Sequence, residues 1–274
     1  MRILRAYILA VLSATAIVVA PVALCSDAPE PKEAVQSYNT AQFADETLEF
    51  HIVYHWGLIW KHAATAQLSI RSAGSVYHAQ LTARTRSWAD KMYRVRDTLS
   101  CTIEKNRLRP TEYVKSTHEG KHTGTDVVRY TYRGDSVYAH CSRFRPAKAT
   151  RDTLLASEGK AYDMLSVFYY LRQLDFDRML AGDRFKTTMF SGKRKELLTI
   201  RCVGIEEIEL RDKTKHQAYH IKFRFTQDGQ KKSSDDIDTW ISTDERRIPL
   251  MLRGKVSIGE IRCYYVTPGT AEED

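Results

Sequence analysis

The segment His118-Glu119-Gly120-Lys121-His122 has the residue types and spacing of a zinc hydrolase motif. In that chemistry a helix places both histidines on one face to hold the metal, and the glutamate polarises a metal-bound water. Gly120 and Gly124 instead favour a turn between two strands, and no third ligand follows at a useful spacing. We therefore predict a hairpin turn here, with no metal site and no catalytic residues.

Other histidines could also form a metal site. His51 and His55 share one face of a predicted strand and could approach His78 or His140. Isolated histidines on strands are more often solvated or hydrogen-bonded within a core than bound to a metal. We therefore expect no metal ion at these positions.

Two sets of carboxylates have a similar ambiguity. Asp97 shares a strand face with Val95 and Leu99, so we expect it to point inward. There an ion pair with Arg129 or Lys222 is favoured over a role as general base. Asp235-Asp236-Ile237-Asp238 carries oxygen ligands that suit calcium, but it lacks the loop spacing that encloses the ion. We interpret this run as the solvated start of a strand.

Four cysteines fall on apolar strand faces: Cys101, Cys141, Cys202 and Cys263. Disulfides are permitted if the chain is exported, but the spacing does not select a connectivity. We favour buried free thiols, because a core of this size does not need a cross-link.

The sequence predicts one amphipathic helix, over residues 163–174. Its apolar residues recur at spacings of three and four: Met164, Val167, Phe168, Leu171 and Leu174. Asp163 can cap the first turn, Arg172 suits the carboxyl end, and a sheet must cover the stripe. Tyr169 and Tyr170 have polar tips that suit the rim of a pocket, although a core role for the helix is the competing interpretation. The predicted ligand-binding residues are Met164, Phe168, Tyr169, Tyr170, Leu171 and Trp240.

Around this helix the sequence alternates between apolar and polar residues, as strands do. The pattern begins at Thr47, loses its alternation over residues 143–160, and resumes after the helix, with turn residues every eight to twelve positions. We predict a mainly β fold: a large antiparallel curved sheet or barrel-like domain of about a dozen strands, with one central amphipathic helix packed against it. The predicted single domain spans residues 45–266, and a polar tail covers residues 267–274.

The first 25 residues are typical of an export signal. Arg2 and Arg5 precede an uncharged apolar run that ends in Ala23-Leu24-Cys25. A retained membrane helix and a lipid on Cys25 are the alternatives, and Leu24 disfavours the lipid. Residues 26–44 then form a flexible linker. We expect an exported protein, periplasmic or associated with the outer membrane, that can contact the membrane through its N-terminus.

The charge balance excludes some partners. The chain of 274 residues has 42 basic and 34 acidic residues, a net charge of +8, and the basic residues alternate with apolar ones rather than clustering. We therefore expect no nucleic-acid partner. The sequence also has no phosphate loop, nucleotide fingerprint, nucleophile elbow or C-x-x-C pair, and we expect no cofactor.

Two blocks of sequence resemble an exported bacterial family, the domain of unknown function 3108. The first block is the helix Asp163-Met164-Leu165-Ser166-Val167-Phe168-Tyr169-Tyr170-Leu171-Arg172. The second is Thr239-Trp240-Ile241-Ser242-Thr243-Asp244-Glu245-Arg246-Arg247-Ile248-Pro249-Leu250, followed by Gly259. Residues 46–50 and 95–97 also fit, so the resemblance covers about residues 45–266. It implies an exported, mainly β domain of the Gram-negative envelope and carries no catalytic residues.

Three classes of function remain. We favour a non-catalytic binding or carrier module for an apolar ligand, such as a lipid or an envelope precursor, held between the helix and the curved sheet. A structural or protein-interaction component of the envelope is the second possibility. A hydrolase that uses residues 118–122 is the third. The expected partner is accordingly an apolar small molecule or an envelope protein.

Overall fold

The computed structural model describes residues 43–180, 182–227, 236–255 and 259–269. The predicted export signal, nearly all of the predicted linker, Asp235 and the end of the predicted tail lie outside these residues. In the described part of the chain, no helix is long and apolar enough to cross a membrane.

The described residues form one mainly antiparallel sheet of fifteen strands. The first nine strands are β1 Glu46–Trp56, β2 Ile59–Ala73, β3 Val76–Thr85, β4 Arg96–Glu104, β5 Arg109–Glu119, β6 His122–Arg133, β7 Ser136–Phe144, β8 Arg151–Glu158 and β9 Ala161–Tyr162. The last six are β10 Arg184–Phe190, β11 Lys195–Glu209, β12 Lys215–Gln227, β13 Ile237–Ser242, β14 Pro249–Lys255 and β15 Glu260–Tyr265.

The sheet curls into a nearly closed barrel. Neighbours in sequence are neighbours in the sheet from β1 to β8 and from β15 back to β9, and β1 pairs with β15. The edge strands are therefore β8 and β9. Near this seam, the hydroxyl groups of Ser157 on β8 and Thr188 on β10 are 2.7 Å apart. Across the interior, the rings of Tyr130 and Phe190 contact each other with centroids 6.1 Å apart.

The sequence pattern underestimated the number of strands. Residues 143–160 were expected to form a connection, but β8 lies there. Nearly all of its residues are exposed, because an edge strand outside the core has no buried face. Without a buried face a strand shows no alternation of apolar and polar residues, so the pattern cannot reveal it.

Three short helices lie in the described residues: α1 Ser87–Asp90, α2 Ser166–Leu171 and α3 Phe176–Leu180. The expected single helix over residues 163–174 is thus wrong in extent. After α2 the chain tightens, because the amides of Gln173 and Leu174 bond to carbonyl oxygens only three residues earlier. A separate helix, α3, follows.

The expected amphipathic character of this helix is also wrong. Its predicted polar side, which includes Tyr169, Tyr170, Arg172 and Gln173, is buried along with the apolar residues. A helix that is buried on nearly all sides is an interior element and not a cover on one face. Residues of this segment join both apolar clusters of the core, so α2 lies inside the curled sheet.

The strands define two ends of the barrel. At one end, which we call the β1–β2 end, lie residues 57–58, 86–95 and 120–121, which connect β1 to β2, β3 to β4 and β5 to β6. At the other, the helix end, lie Glu46 at the start of β1 and residues 243–248 between β13 and β14. Arg172, just after α2, binds the carboxylate of Glu46 and the carbonyl oxygen of Arg246 there. These contacts fix the helical segment at the helix end.

Candidate functional site

Two apolar cavities lie beside α2 inside the barrel. Each has a volume of about 40 Å³, and Met164, Phe168 and Leu252 line both. The first is completed by Phe50, Ala66, Leu68, Leu81, Leu99, Leu165, Pro249 and Cys263, and the second by Val167, Leu171, Met189, Leu198, Phe223, Phe225 and Ile237. Met164, just before α2, and Phe168, within it, are only partly buried, whereas the other residues of α2 are buried. The space inside the barrel is therefore adjacent to these two side chains.

The chemistry of these cavities favours apolar contents. A space of this size could hold a few water molecules, but water needs two or more polar partners and the walls are almost entirely hydrocarbon. Met164, Phe168 and Leu252 contribute to the walls of both spaces, and the unbranched side chain of Met164 has several rotamers of similar energy.

Asp163 holds the start of α2 in place, as its position in the sequence predicted. Its Oδ1 atom accepts hydrogen bonds of 2.8 Å from the amides of Leu165 and Ser166, and its Oδ2 atom accepts one of 2.9 Å from the Ser166 hydroxyl. The side chain is completely buried, and this burial raises the pKa of the Asp163 carboxyl. Satisfied lone pairs thus compensate for the missing solvent.

A small polar group surrounds Asp163 in the core. The Cys101 thiol donates to Oδ2 of Asp163 at 3.2 Å, and burial raises the pKa of this thiol. The hydroxyl groups of Tyr113 and Tyr130 are buried and meet no hydrogen-bond partner among the described residues. A thiol whose pKa is raised is a poor nucleophile, so this group does not resemble an activated cysteine site.

The predicted positions of the tyrosines were wrong. Tyr169 and Tyr170 are both buried and do not form a rim. Their hydroxyl groups have partners within the chain: that of Tyr169 donates to the carbonyl oxygen of Ser69 at 3.0 Å, and that of Tyr170 accepts from the amine of the exposed Lys160 at 3.2 Å. Because these partners satisfy the polar tips, neither ring needs to reach solvent.

The structure does not bring Trp240 to α2. The indole nitrogen of Trp240 donates to Glu206, and its ring stacks on His220 with centroids 4.7 Å apart. It lines neither of the two apolar cavities, whereas Met164 and Phe168 line both and Leu171 lines the second. The predicted ligand-binding residues therefore do not all share one site.

A buried pair of acids lies near the first cavity, and the sequence pattern identified only one of its members. Asp97 is buried as predicted, but its expected partners are wrong: Arg129 binds Glu112, and Lys222 binds Asp238. Asp97 instead accepts from the amide of His118 at 2.9 Å, and the carboxyl of Glu119 lies beside it. Oδ2 of Asp97 is buried and meets no hydrogen-bond donor among the described residues.

Burial and mutual repulsion perturb these acids. Burial, followed by the charge of Asp97, raises the pKa of Glu119 to about 7, and burial also raises the pKa of Asp97. Lys115 lies nearby on β5 directly opposite Leu99, and burial lowers its pKa. Because Leu99 lines the first apolar cavity, this charged cluster borders that cavity.

The hairpin turn predicted within residues 118–122 is confirmed. Glu119 pairs with His122 across the turn between β5 and β6, and Gly120 has the positive φ of +56° that such turns require. Gly124, however, lies inside β6. A side chain there would collide with Arg145, because an added Cβ atom would lie 2.7 Å from its guanidinium.

The other predicted histidine and acid positions have separate partners. His51 stacks on His62 with centroids 4.1 Å apart, and His55 stacks on Trp60 at 3.7 Å, whereas His78 contacts Thr102 and His140 approaches Asp152. Asp236 binds Arg201 and Arg224, and Asp238 binds His220, Lys222 and Arg253. Among the described residues, no group of three or more potential ligands could hold a metal ion.

The four cysteines are free thiols, as the sequence favoured. Cys101, Cys141 and Cys263 are buried and Cys202 is partly buried. Burial raises the pKa of Cys263 to about 12 and that of Cys141 to about 11. These thiols act as small apolar residues of the core.

The chain belongs to the family described as protein of unknown function (DUF3108), whose profile matches residues 50–266. This match confirms the resemblance found in the sequence. The fold is similar to the crystal structure of a beta-barrel-like protein of domain of unknown function DUF1849 from Brucella abortus. The TM-score is 0.55 at 10% sequence identity, over 82% of this chain and 97% of that chain. No curated protein matches the chain. The class is thus a barrel-like β domain.

Proposed function

We propose that this chain is an exported, non-catalytic carrier that holds an apolar ligand, such as the hydrocarbon chain of a lipid or an envelope precursor, between α2 and the sheet. The observation that supports this proposal is the pair of apolar cavities on either side of Met164 and Phe168. Apolar cavities in protein cores stay dry and accept apolar ligands.

The form of the cavities suggests the form of the ligand. Two small spaces that share lining residues, one of them the flexible Met164, suit a single narrow chain better than a broad ring system. The export pattern of the N-terminal segment supports a location for this carrier in the periplasm or at the outer membrane. Lipids and envelope precursors with hydrocarbon chains are present in that compartment.

The proposal can be tested with protein purified from its native envelope. Organic extraction followed by mass spectrometry should find a co-purifying amphiphile, and the fluorescent probe 1-N-phenylnaphthylamine should bind to the emptied protein. Ala66→Leu places a larger side chain in the first cavity. We expect it to weaken probe binding about tenfold or more, with little change in stability because the added atoms fill empty space.

The control is a core residue that lines neither cavity. Phe176 is fully buried in α3, so Phe176→Leu should lower the free energy of unfolding by about 1 kcal/mol and leave probe affinity unchanged. The carrier proposal would be wrong if no small molecule accompanied the wild type and the probe did not bind. It would also be wrong if Ala66→Leu and Phe176→Leu changed affinity equally.

A further inference from the structure

An exposed apolar surface occupies the β1–β2 end of the barrel. The hairpin between β1 and β2 turns tightly at Gly57, where φ is +58°. The residues around this turn leave large apolar side chains in solvent: Leu58 is 99% exposed, Trp56 53% and Trp60 48%. Single exposed apolar residues are ordinary, but a cluster of this kind on one turn is typical of a surface that contacts a partner.

The structure holds one of these rings in a fixed position. The ring of Trp60 stacks on His55 with centroids 3.7 Å apart and an angle of 17° between the planes. The guanidinium of Arg262 lies over Trp60 at 4.5 Å. Such stacking and cation–π contacts order the ring before any partner arrives, so exposure of Trp60 is a built feature of the fold.

The connection between β3 and β4 extends the same surface. Trp88 of α1 donates its indole N–H to the carbonyl oxygen of His62 at 2.8 Å, and Lys61 lies 4.2 Å above the Trp88 ring. Met92, just beyond α1, is 63% exposed. We call Trp56, Leu58, Trp60, Trp88 and Met92 the tryptophan surface. It contains three of the four tryptophans in the chain.

The charges beside this surface are mainly positive. Lys61 and Lys91 are exposed, and Arg262 lies at the edge of the hairpin. The nearby acids are already paired: Glu260 with Arg262 at 2.5 Å and with His55 at 3.5 Å, and Asp90 of α1 with Arg96 at 2.7 Å. The excess charge is therefore basic and complementary to an anionic surface.

We propose that the tryptophan surface docks onto the interface of a lipid bilayer that contains anionic lipids. Tryptophan favours the boundary between headgroups and acyl chains, exposed leucine and methionine gain by burial there, and each nearby lysine adds attraction to anionic headgroups. Docking places the β1–β2 end against the membrane and the helix end, with its Arg172–Glu46 ion pair, away from it. This proposal does not depend on the presence of a ligand in the barrel.

Flotation of the full chain with vesicles of phosphatidylcholine, with and without phosphatidylglycerol, tests the docking. The double variant Trp56→Ser/Leu58→Ser should lower the partition coefficient about tenfold or more, because most of the inserted apolar area is lost. Lys61→Glu/Lys91→Glu should weaken binding only to vesicles with phosphatidylglycerol. The N-terminal segment is identical in all variants, so any binding that it contributes cancels in the comparison.

Leu154→Ser provides a matched control. Leu154 is 66% exposed on β8, away from the β1–β2 end, so its loss should leave the partition coefficient unchanged. Lipids brominated near the headgroup should quench the tryptophan fluorescence of the wild type, and quench it less in the double variant. The proposal would be overturned if the double variant bound vesicles as well as Leu154→Ser, or if no quenching occurred. It would also be overturned if sedimentation analysis showed that the only effect of the double variant was to dissociate a dimer of this chain into monomers.

Discussion

Replacing Glu119 with glutamine should stabilise the protein at neutral and alkaline pH. Glu119 is buried beside Asp97, and burial and the negative charge of Asp97 both disfavour ionisation of Glu119. In Glu119→Gln the amide can donate to Oδ2 of Asp97, which has no donor among the described residues, and its oxygen can still accept from the Tyr93 hydroxyl. The variant would thus keep the hydrogen bonds and remove one buried charge.

The pKa of Glu119 sets the size and the pH range of this effect. The pKa rises from the ordinary value of 4.5 to about 7 in the folded state. At about 1.4 kcal/mol per pH unit, this difference of about 2.5 units corresponds to at most about 3.5 kcal/mol. Below pH 4.5 both states hold the proton and the wild type bears no cost. Stability then falls as pH rises through the interval and stays lower above about 7. The gain from glutamine should therefore be absent in acid and fully developed in alkali.

Urea unfolding followed by tryptophan fluorescence at about pH 4 and about pH 8.5 measures this difference. Glu112→Gln is the matched control on the same strand, because the Glu112 side chain is partly exposed, at 43%, and pairs with the exposed Arg129. We expect it to change stability by less than about 1 kcal/mol at either pH. An equal loss of stability at both pH values in Glu119→Gln would refute the buried acid pair.

Three further substitutions test contacts that position α2 and the sheet. Among the described residues, Arg172→Ala leaves the largely buried carboxylate of Glu46 with only the more distant Arg246, at 3.6 Å, and should cost about 3 kcal/mol in urea unfolding, whereas Arg129→Ala, at a 60% exposed side chain, should cost less than about 1 kcal/mol. Asp163→Ala removes the acceptor of two buried amides and should cost about 2 to 4 kcal/mol by the same measurement. Burial opposes ionisation of Asp238, but hydrogen bonds from its basic neighbours lower its pKa to about 2. Its stabilising effect should be complete above its ordinary pKa and lost as pH falls through about 2, and an acid titration should show no such loss in Asp238→Asn.

The β fold could be predicted because most strands have one buried face. On β3 and β4 the buried and exposed residues alternate as the sequence does, so composition and period indicate the same structure. Helix α2 was misjudged for the converse reason. Tyr169 and Arg172 are polar in type but buried, and only tertiary partners, Ser69 and Glu46, make that position favourable. No local pattern contains those partners.

The acid pair shows a second limit of sequence reasoning. Asp97 could be assigned to the interior from its neighbours, but its partner depends on how β4 and β5 are aligned. Glu119 lies at the end of β5, where the turn begins, and its segment suggested a metal motif. A one-residue change of alignment would turn it outward. The signal that could have identified it is the alternation from Tyr113 through Lys115 and Thr117, continued to Glu119.

If the barrel carries an apolar ligand as proposed, its two ends are not equivalent routes to the cavities. At the helix end, access to the cavities would require breaking the buried contacts of Arg172 with Glu46 and Arg246, which hold the helical segment to β1 and to the β13–β14 connection. Separating a buried ion pair is costly. At the β1–β2 end the tryptophan surface offers apolar contact outside, and the acids Asp97 and Glu119 lie between that end and the first cavity. A ligand that arrives from a membrane would therefore pass these acids most easily when they are protonated, which burial favours by raising the pKa of both carboxyls, because a neutral carboxyl is less costly beside hydrocarbon than a charged one.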